Sequence, residues 1–230
     1  MQAEEYFLAW AETEEFKRKV ESAKRVIRQA LSIARKPYVA VSGGKDSLTV
    51  LHLVLQEKRD IDVWHWDHGR WLMPRGVERE IVRALRGVCK PEQLVIESSK
   101  SLDEEEARWD YKRWYRAFYG KLNRIAKERG WDLCFLGIRA EESHRRRVKY
   151  DFFVRGEITI CCPIFDWSWR DVWAYVFANK LPYPKVYDKL AELVGWENAR
   201  LTTFFDHEFA WKMDLDKFVL WKKHYPFGEG

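Results

Sequence analysis

The sequence predicts an α/β fold: a doubly wound, mainly parallel sheet of five or six strands, with helices on both faces and a small helical C-terminal region. Short apolar runs alternate with segments of helical periodicity between residues 38 and 138, which is the pattern of a parallel sheet. A glycine-rich turn at 42–47 joins the first apolar run to a helix. The 230 residues are 47% hydrophobic, enough for one sizeable core.

Periodicity and turn residues place the elements in order. Apolar side chains at helical spacing over 4–34 predict one or two amphipathic helices that cover the sheet. Ser101 and Glu104 have the spacing of a capping box for a long helix, which Gly130 ends. The predicted core elements are strand 38–42, helix 45–57, strand 61–67, helix 77–88, strand 93–98, helix 103–129 and strand 132–138.

The pattern changes after residue 150. Residues 151–161 predict a hairpin around Arg155 and Gly156, and Ser168 with Asp171 predicts a capped helix over 168–179. Two further helices are predicted, at 187–195 and 205–224. We expect one compact unit with three parts: an N-terminal helical segment 1–36, a nucleotide-binding core 37–175 and a helical C-terminal region 176–230.

The turn after the first strand has the chemistry of an anion site. A helix N-terminus offers unpaired backbone N–H groups and the positive end of a dipole. Gly43 and Gly44 allow the backbone to close around a phosphate, and Lys45 adds a full charge. The pattern predicts a nucleotide phosphate site, although it differs from the usual P-loop pattern.

The hexapeptide Ser42-Gly43-Gly44-Lys45-Asp46-Ser47 resembles the pyrophosphate-binding loop (PP-loop) of the adenine nucleotide alpha-hydrolase superfamily. That superfamily includes sulfonucleotide (PAPS) reductases and FAD synthetases. The resemblance implies an ATP-binding loop, with Lys45 and Mg²⁺ neutralising the leaving pyrophosphate. It also implies that Asp46 orients the loop or the metal, and that Ser47 caps the helix and touches phosphate.

Ligands of such sheets sit at the carboxyl ends of the strands, so the segments after the second and fourth strands are further candidates. Asp67 follows the second strand, where a carboxylate can accept ribose hydroxyls or hold Mg²⁺. In sulfonucleotide reductases the similar place reads Asp-Thr-Gly followed by a Pro-Glu pair. Here His68 replaces Thr, and Pro74 and Glu78 are further apart.

The segment Leu136–Arg147 resembles the Leu-Gly-x-Arg-x-x-Glu-Ser-x-x-Arg motif of PAPS reductases. The planar fork of arginine binds phosphate or sulfate oxygens bidentately. The resemblance implies that Gly137 lies in the nucleotide site and that Glu142 holds an arginine or a metal. It also implies that the nucleotide or the anionic substrate is faced by Arg139 and by one of Arg145, Arg146 and Arg147.

A fourth similarity lies between Pro163 and Asp188, where a helix start and a Leu-Pro…Tyr-Asp turn resemble the same family. These residues are interpreted as architectural. The four similarities span about 38–188 in the family's order, so the chain is identified as a PAPS reductase-like member of the superfamily.

The resemblance breaks at the C-terminus. Sulfonucleotide reductases attack sulfate with a cysteine in a Glu-Cys-Gly-x-His motif, whereas this sequence has no cysteine after Cys162. The paired cysteines of iron–sulfur APS reductases are also missing, so no cluster is expected. What the resemblance then implies is an ATP pyrophosphatase or adenylyltransferase-type enzyme. Its catalytic residues would be Lys45, Asp46 and Arg139, its metal ligands Asp46 and Asp67, and its acceptor an unknown anionic substrate.

Other functions stay open. The site could belong to a phosphorothioation-type component that works with a partner protein, or to a nucleotide-sensing module that binds nucleic acid. An FAD synthetase-like adenylyltransferase and a true PAPS reductase using Cys161 or Cys162 are lesser alternatives. The net charge of +5 suits an anionic ligand without proving nucleic-acid binding.

The remaining expectations concern location and assembly. No stretch is apolar for long enough to span a bilayer, and the N-terminus lacks the pattern of a signal peptide, so a cytoplasmic protein is expected. The sequence leaves open whether the chain forms a homodimer or a complex with another protein.

Overall fold

The computed structural model describes residues 2–104, 110–142, 152–155 and 158–201. Within these ranges six strands form one sheet in the order β3-β2-β1-β4-β6-β5. All neighbouring pairs are parallel except β5 with β6, which is antiparallel at one edge. The predicted mainly parallel sheet of five or six strands is confirmed. Its strands are β1 Pro37–Val41, β2 Asp62–Trp66, β3 Leu94–Glu97, β4 Leu133–Phe135, β5 Phe152–Arg155 and β6 Ile158–Cys161.

Helices cover both faces of the sheet, as predicted for a doubly wound fold. Alternate strand residues point to opposite faces, so Val39 and Val63 lie in one core and Tyr38 and Trp64 in the other. The core beneath α5 is the smaller one, and the other helices pack on the opposite face. The helices are α1 Gln2–Ala11, α2 Glu14–Ile33, α3 Lys45–Glu57, α4 Arg75–Val88, α5 Tyr111–Arg129, α6 Trp169–Ala178 and α7 Val186–Val194.

A buried carboxylate fastens the N-terminal helices to the core. Asp171 on α6 accepts hydrogen bonds from Trp10 Nε1 at 2.8 Å and from Lys19 Nζ at 2.6 Å. Because both partners come from α1 and α2, this one side chain links three helices. The predicted boundary between residues 175 and 176 falls inside α6.

Most predicted elements are confirmed with bounds that match or are shifted by a few residues, and the start of α5 differs most. The helix described begins at Tyr111, where Asp110 accepts from the amide of Arg113 at 2.9 Å. The capping box predicted at Ser101 does not form, because Ser99 instead caps a short 3₁₀ turn over Lys100–Leu102. The predicted capping box at Ser168 and Asp171 is present at the start of α6. The predicted helix 205–224 lies outside the described residues.

The sheet order places the site. The chain adds β2 and β3 on one side of β1 and later adds β4 on the other side, so the strand order reverses between β1 and β4. Open α/β sheets bind ligands at such a switch point, beyond the carboxyl ends of the strands. No helix in the described part of the chain is both long and apolar enough to cross a membrane.

Candidate active site

The glycine loop lies at the carboxyl end of β1, as predicted. Gly43 has φ of +82°, a conformation that side-chain-bearing residues rarely adopt. A Cβ atom there would also collide with the side chain of Ile81 on α4. The chain can therefore make this turn against α4 only with glycine.

The start of α3 is open to an anion. Gly44 occupies the N-cap position and provides no side-chain cap, which leaves first-turn N–H groups without the usual acceptor. The Ser47 hydroxyl donates to the carbonyl of Gly44 at 2.9 Å, and the hydroxyl oxygens of Ser42 and Ser47 lie 3.2 Å apart. These bonds fix the loop without filling the space in front of the helix.

Lys45, Asp46 and Arg139 form a buried cluster beneath the loop. Asp46 Oδ2 accepts from Lys45 Nζ at 3.0 Å, while its Oδ1 accepts from Nε of Arg139. Arg139 also donates to Glu141 at 2.9 Å, and only 1% of its surface is exposed. The Asp46 carboxylate thus bridges the two cations, and Glu141 provides a second carboxylate for Arg139.

The amine of Lys45 lies in an unusual place. Only 2% of its surface is exposed, and its Nζ lies 6.0 Å and 5.9 Å from the ring centroids of Trp173 and Tyr187. Burial lowers the pKa of Lys45, and the neighbouring charge of Asp46 opposes that shift. An anionic ligand would favour the charged lysine further.

Gly137 brings β4 against the start of α3. A Cβ atom on Gly137 would lie 2.7 Å from both the carbonyl carbon of Asp46 and the amide nitrogen of Ser47. These are backbone atoms, so they could not move aside without shifting the helix. The absence of a side chain at Gly137 is what allows the two segments to meet at the switch point.

A cleft of about 300 Å³ opens in front of this loop. The loop forms one wall, and aromatic side chains of β2 and α5 form another. Tyr187, at the start of α7, and Arg200, just beyond that helix, form a third. The aromatic residues of the second wall are Trp64, Trp66 and Phe118.

His68 extends the aromatic wall as a neutral side chain. Its Nδ1 accepts from Trp114 Nε1 at 3.1 Å, and the two rings are within 5° of parallel. Burial, together with the charge of His65, lowers the pKa of His68 to about 3. The His68 ring therefore carries its proton on Nε2 and adds no charge to the cleft.

The Asp67 carboxylate is paired with an arginine and is not open to a ribose or a metal ion. Its two carboxylate oxygens accept from Arg75 at 2.7 Å each, and one also accepts from the amide of Gly69. Asp46 is likewise paired with cations, so neither predicted Mg²⁺ ligand offers an unpaired carboxylate. This arrangement does not fit a metal held by these two residues. A magnesium ion at the site would have to be held mainly by the phosphates of a nucleotide.

A second buried pair supports the strand before the loop. His65 bonds through Nδ1 to the carbonyl of Val41 at 2.7 Å and through Nε2 to Glu78 at 2.8 Å. Burial alone would lower the pKa of His65, but the hydrogen bond and charge of Glu78 outweigh it and raise that pKa. The two bonds of the His65 ring fix the end of β1 relative to α4.

The structure brings most of the predicted residues together. The predicted site residues that line the cleft are Ser42, Gly44, Lys45, Asp46, Ser47, Gly137 and Glu142. Gly43 shapes the loop, Arg139 lies beneath it rather than facing the cleft, and Asp67 is turned to Arg75. Arg145, Arg146 and Arg147 lie outside the described residues.

Sequence reasoning missed two residues of the third wall. Tyr187 is among the residues interpreted as architectural, yet its hydroxyl oxygen accepts from the backbone amide of Lys45 at 3.1 Å. Arg200 stands in a segment without a recognised motif. The alternation of Trp64 and Trp66 along β2 could have indicated an aromatic wall, because residues two apart share a face.

This fold, with a glycine loop at the switch point, defines an α/β protein with a candidate nucleotide site at the carboxyl edge of its sheet. The chain belongs to the phosphoadenosine phosphosulfate reductase domain family, whose model matches residues 36–200.

Curated relatives agree with this family. An uncharacterized protein of Methanocaldococcus jannaschii is 31% identical over 184 residues, which cover 74% of this chain and 37% of that protein. The chain therefore spans little more than a third of that relative. An adenosine 5'-phosphosulfate reductase of Bacillus thuringiensis is 26% identical over 74% of this chain and 78% of its own length.

Solved structures agree on the fold. A phosphoadenylyl-sulfate reductase from Candida auris, in a phosphate complex, has a TM-score of 0.58 at 19% identity. That likeness covers 77% of this chain and 92% of the other. An FMN adenylyltransferase from Candida glabrata, in complex with ATP, has a TM-score of 0.56 at 13% identity, covering 80% of this chain and 65% of the other.

Proposed function

We propose that this protein is an ATP pyrophosphatase of the adenylyltransferase type, which binds ATP at the glycine loop and cleaves between the α- and β-phosphates. The observation that carries the proposal is the uncapped start of α3 at the switch point, with buried Lys45 beneath it. N–H donors and a fixed positive charge are what a leaving pyrophosphate requires.

The reaction follows from where the charge develops. An oxygen of the acceptor attacks the α-phosphorus, the bond from that phosphorus to the bridging oxygen breaks, and pyrophosphate leaves with the electron pair. The acceptor's proton passes to solvent. The loop N–H groups and Lys45 stabilise the negative charge that accumulates on the leaving group, and no protein nucleophile is needed.

The comparisons support an adenine nucleotide ligand. The Bacillus thuringiensis relative is named as a sulfonucleotide reductase, and a structural neighbour is an adenylyltransferase in complex with ATP. All four cysteines of the chain are buried, and none is among the residues that line the cleft. A thiol attack by Cys161 or Cys162 is therefore disfavoured, and phosphate chemistry is the better use of the site.

Replacing Lys45 by methionine is expected to lower pyrophosphate release from ATP by about 10²–10³-fold, because a fixed charge at the leaving group is removed. Methionine keeps most of the side-chain volume between Trp173 and Tyr187. The measurement is pyrophosphate release with Mg²⁺, alone and with added FMN, sulfate or nucleic acid. A rise with one additive identifies the acceptor class.

Lys58→Met is the matched control, because Lys58 lies on the surface and pairs with Asp60 at 2.9 Å. This variant should release pyrophosphate like the wild type. Wild-type protein that binds ATP but releases no pyrophosphate with any additive would contradict the proposed reaction. That result would favour a nucleotide sensor or a subunit that needs a partner protein.

A second candidate function, nucleic-acid binding, is favoured by the charge of α5. That helix holds seven lysines and arginines and one acidic residue, whereas the whole chain carries a net charge of +5. Lys100, Arg116, Lys121 and Arg124 line a groove beside the edge strand β3. Lys121 is paired with Glu97, while Lys100 and Arg116 form no ion pair with the described residues. A phosphodiester backbone complements such a stripe of positive charge. If an oxygen of that phosphodiester is the acceptor in the proposed reaction, the protein would have a phosphorothioation-type role.

Neutralising Lys100 and Arg116 together by glutamine should weaken binding of a labelled single-stranded oligonucleotide. The slope of log affinity against log salt should become shallower by about 1.4, because each of the two side chains would neutralise one phosphate of the single strand. Lys58→Gln with Arg59→Gln, just before the start of β2, should leave the slope unchanged. If both double variants had the same slope, the surface of α5 and Lys100 would not be the nucleic-acid-binding surface.

A further inference from the structure

The third wall of the cleft has polar groups to which the proposed reaction assigns no role. Tyr187 is 1% exposed, and its hydroxyl oxygen accepts from the backbone N–H group of Lys45 at 3.1 Å. The oxygen therefore sits among N–H donors at the start of α3, close to where an anionic oxygen would be received.

The hydroxyl hydrogen of Tyr187 is still available. Its oxygen serves as the acceptor in the bond from Lys45, and no bond that it donates is found among the described residues. Tyr187 also lines the cleft. Since a tyrosine hydroxyl can accept and donate at once, it can hold the Lys45 amide and still donate to a phosphate oxygen.

Arg200 adds charge on the same wall. Its half-buried side chain lines the cleft beside Leu201, and it makes no ion pair within the part of the chain that is described. Arg139, in contrast, is engaged by Asp46 and Glu141. Among the described residues that line the cleft, Arg200 is thus an arginine without an ion-pair partner, and its N–H groups can donate to a phosphate group.

We propose that Tyr187 and Arg200 form a further part of the anion site and bind the pyrophosphate group beside the glycine loop. The inference rests on the proposed function and adds binding residues to it. Tyr187 donates its hydroxyl hydrogen to a phosphate oxygen, and Arg200 donates N–H groups to the same group. The segment after α6 thereby takes a direct part in ligand binding rather than only packing on the core.

The test uses inorganic pyrophosphate as the probe and the full chain as the protein. Calorimetric titration of Tyr187→Phe and of Arg200→Gln should each show pyrophosphate affinity reduced about tenfold or more, because each variant loses a hydrogen bond to a charged group. Affinity for adenosine, which has no phosphate, should not change. Melting curves of each variant show that the fold persists, and Arg200→Gln alters a side chain that is not part of the core.

Two controls come from the same region. The Tyr183 hydroxyl donates to Asp188 at 2.9 Å, and Lys185 is an exposed residue before α7. Tyr183→Phe and Lys185→Gln should bind pyrophosphate like the wild type. Wild-type affinity in both Tyr187→Phe and Arg200→Gln would overturn this inference and leave the proposed function standing. A wild-type protein that binds neither pyrophosphate nor ATP would overturn both.

Discussion

Replacing Gly137 by alanine is expected to lower the free energy of unfolding by about 1–3 kcal/mol and pyrophosphate release by about 10²-fold. The new methyl group would lie 2.7 Å from the backbone of Asp46 and Ser47. The start of α3 must then move away from β4, and the N–H groups that receive the phosphate move with it. Denaturant unfolding and pyrophosphate release from ATP measure the two effects.

Gly120→Ala is the matched control for this variant. Gly120 is exposed on α5, and a Cβ atom there would meet nothing within 4 Å. Alanine in a helix is favoured over glycine by about 0.5–1 kcal/mol, so Gly120→Ala should be as stable as the wild type or more stable. If Gly137→Ala matched Gly120→Ala in stability and activity, the close approach of β4 and α3 would not matter to the site.

Replacing Asp46 by asparagine is expected to be the most damaging single change to stability, costing about 3–5 kcal/mol. The substitution removes the negative charge between Lys45 and Arg139, which are both buried. Asp60→Asn, at an exposed ion pair with Lys58, should leave the free energy of unfolding unchanged. Equal stability of the two variants would show that Asp46 does not compensate the buried cations.

The lowered pKa of Asp46 predicts that the protein loses stability at low pH. Burial would raise the pKa of Asp46, but the charges of Lys45 and Arg139 outweigh it and lower that pKa from 3.8 to about 2. A carboxyl whose pKa is lowered by folding stabilises the protein above its unfolded value. That contribution is therefore present above about pH 3.8 and is lost as the pH falls through about 2. Unfolding curves across this range should show the loss in the wild type and not in Asp46→Asn.

The sequence could predict the glycine loop because the loop is local. The loop, including Lys45, consists of six consecutive residues, and the apolar runs on either side of it indicate a strand before it and a helix after it. The elements of the sheet could be predicted for the same reason, since periodicity and glycine turns are local signals. The start of α5 could not, because Ser101 and Asp110 are both plausible caps and their surroundings decide between them.

Partners that come from distant segments could not be predicted. Nothing near Asp67 in the sequence indicates that Arg75 would take both of its oxygens. The motif around Arg139 predicts a side chain that faces the ligand, but Asp46 on another element holds it beneath the loop. Tyr187 reaches the loop from 142 residues away in the chain. Such pairings depend on how helices pack, which a pattern along the chain does not record.

Identification of the bond that is cleaved is the most direct test of the central proposal. ATP labelled at the α-phosphate is incubated with the full chain and Mg²⁺, with and without the additive that raises turnover, and the products are separated. The proposal predicts that the label appears in AMP or in an adenylylated acceptor, with an equal amount of pyrophosphate, and that Lys45→Met loses both. Label in ADP together with free phosphate would contradict cleavage between the α- and β-phosphates.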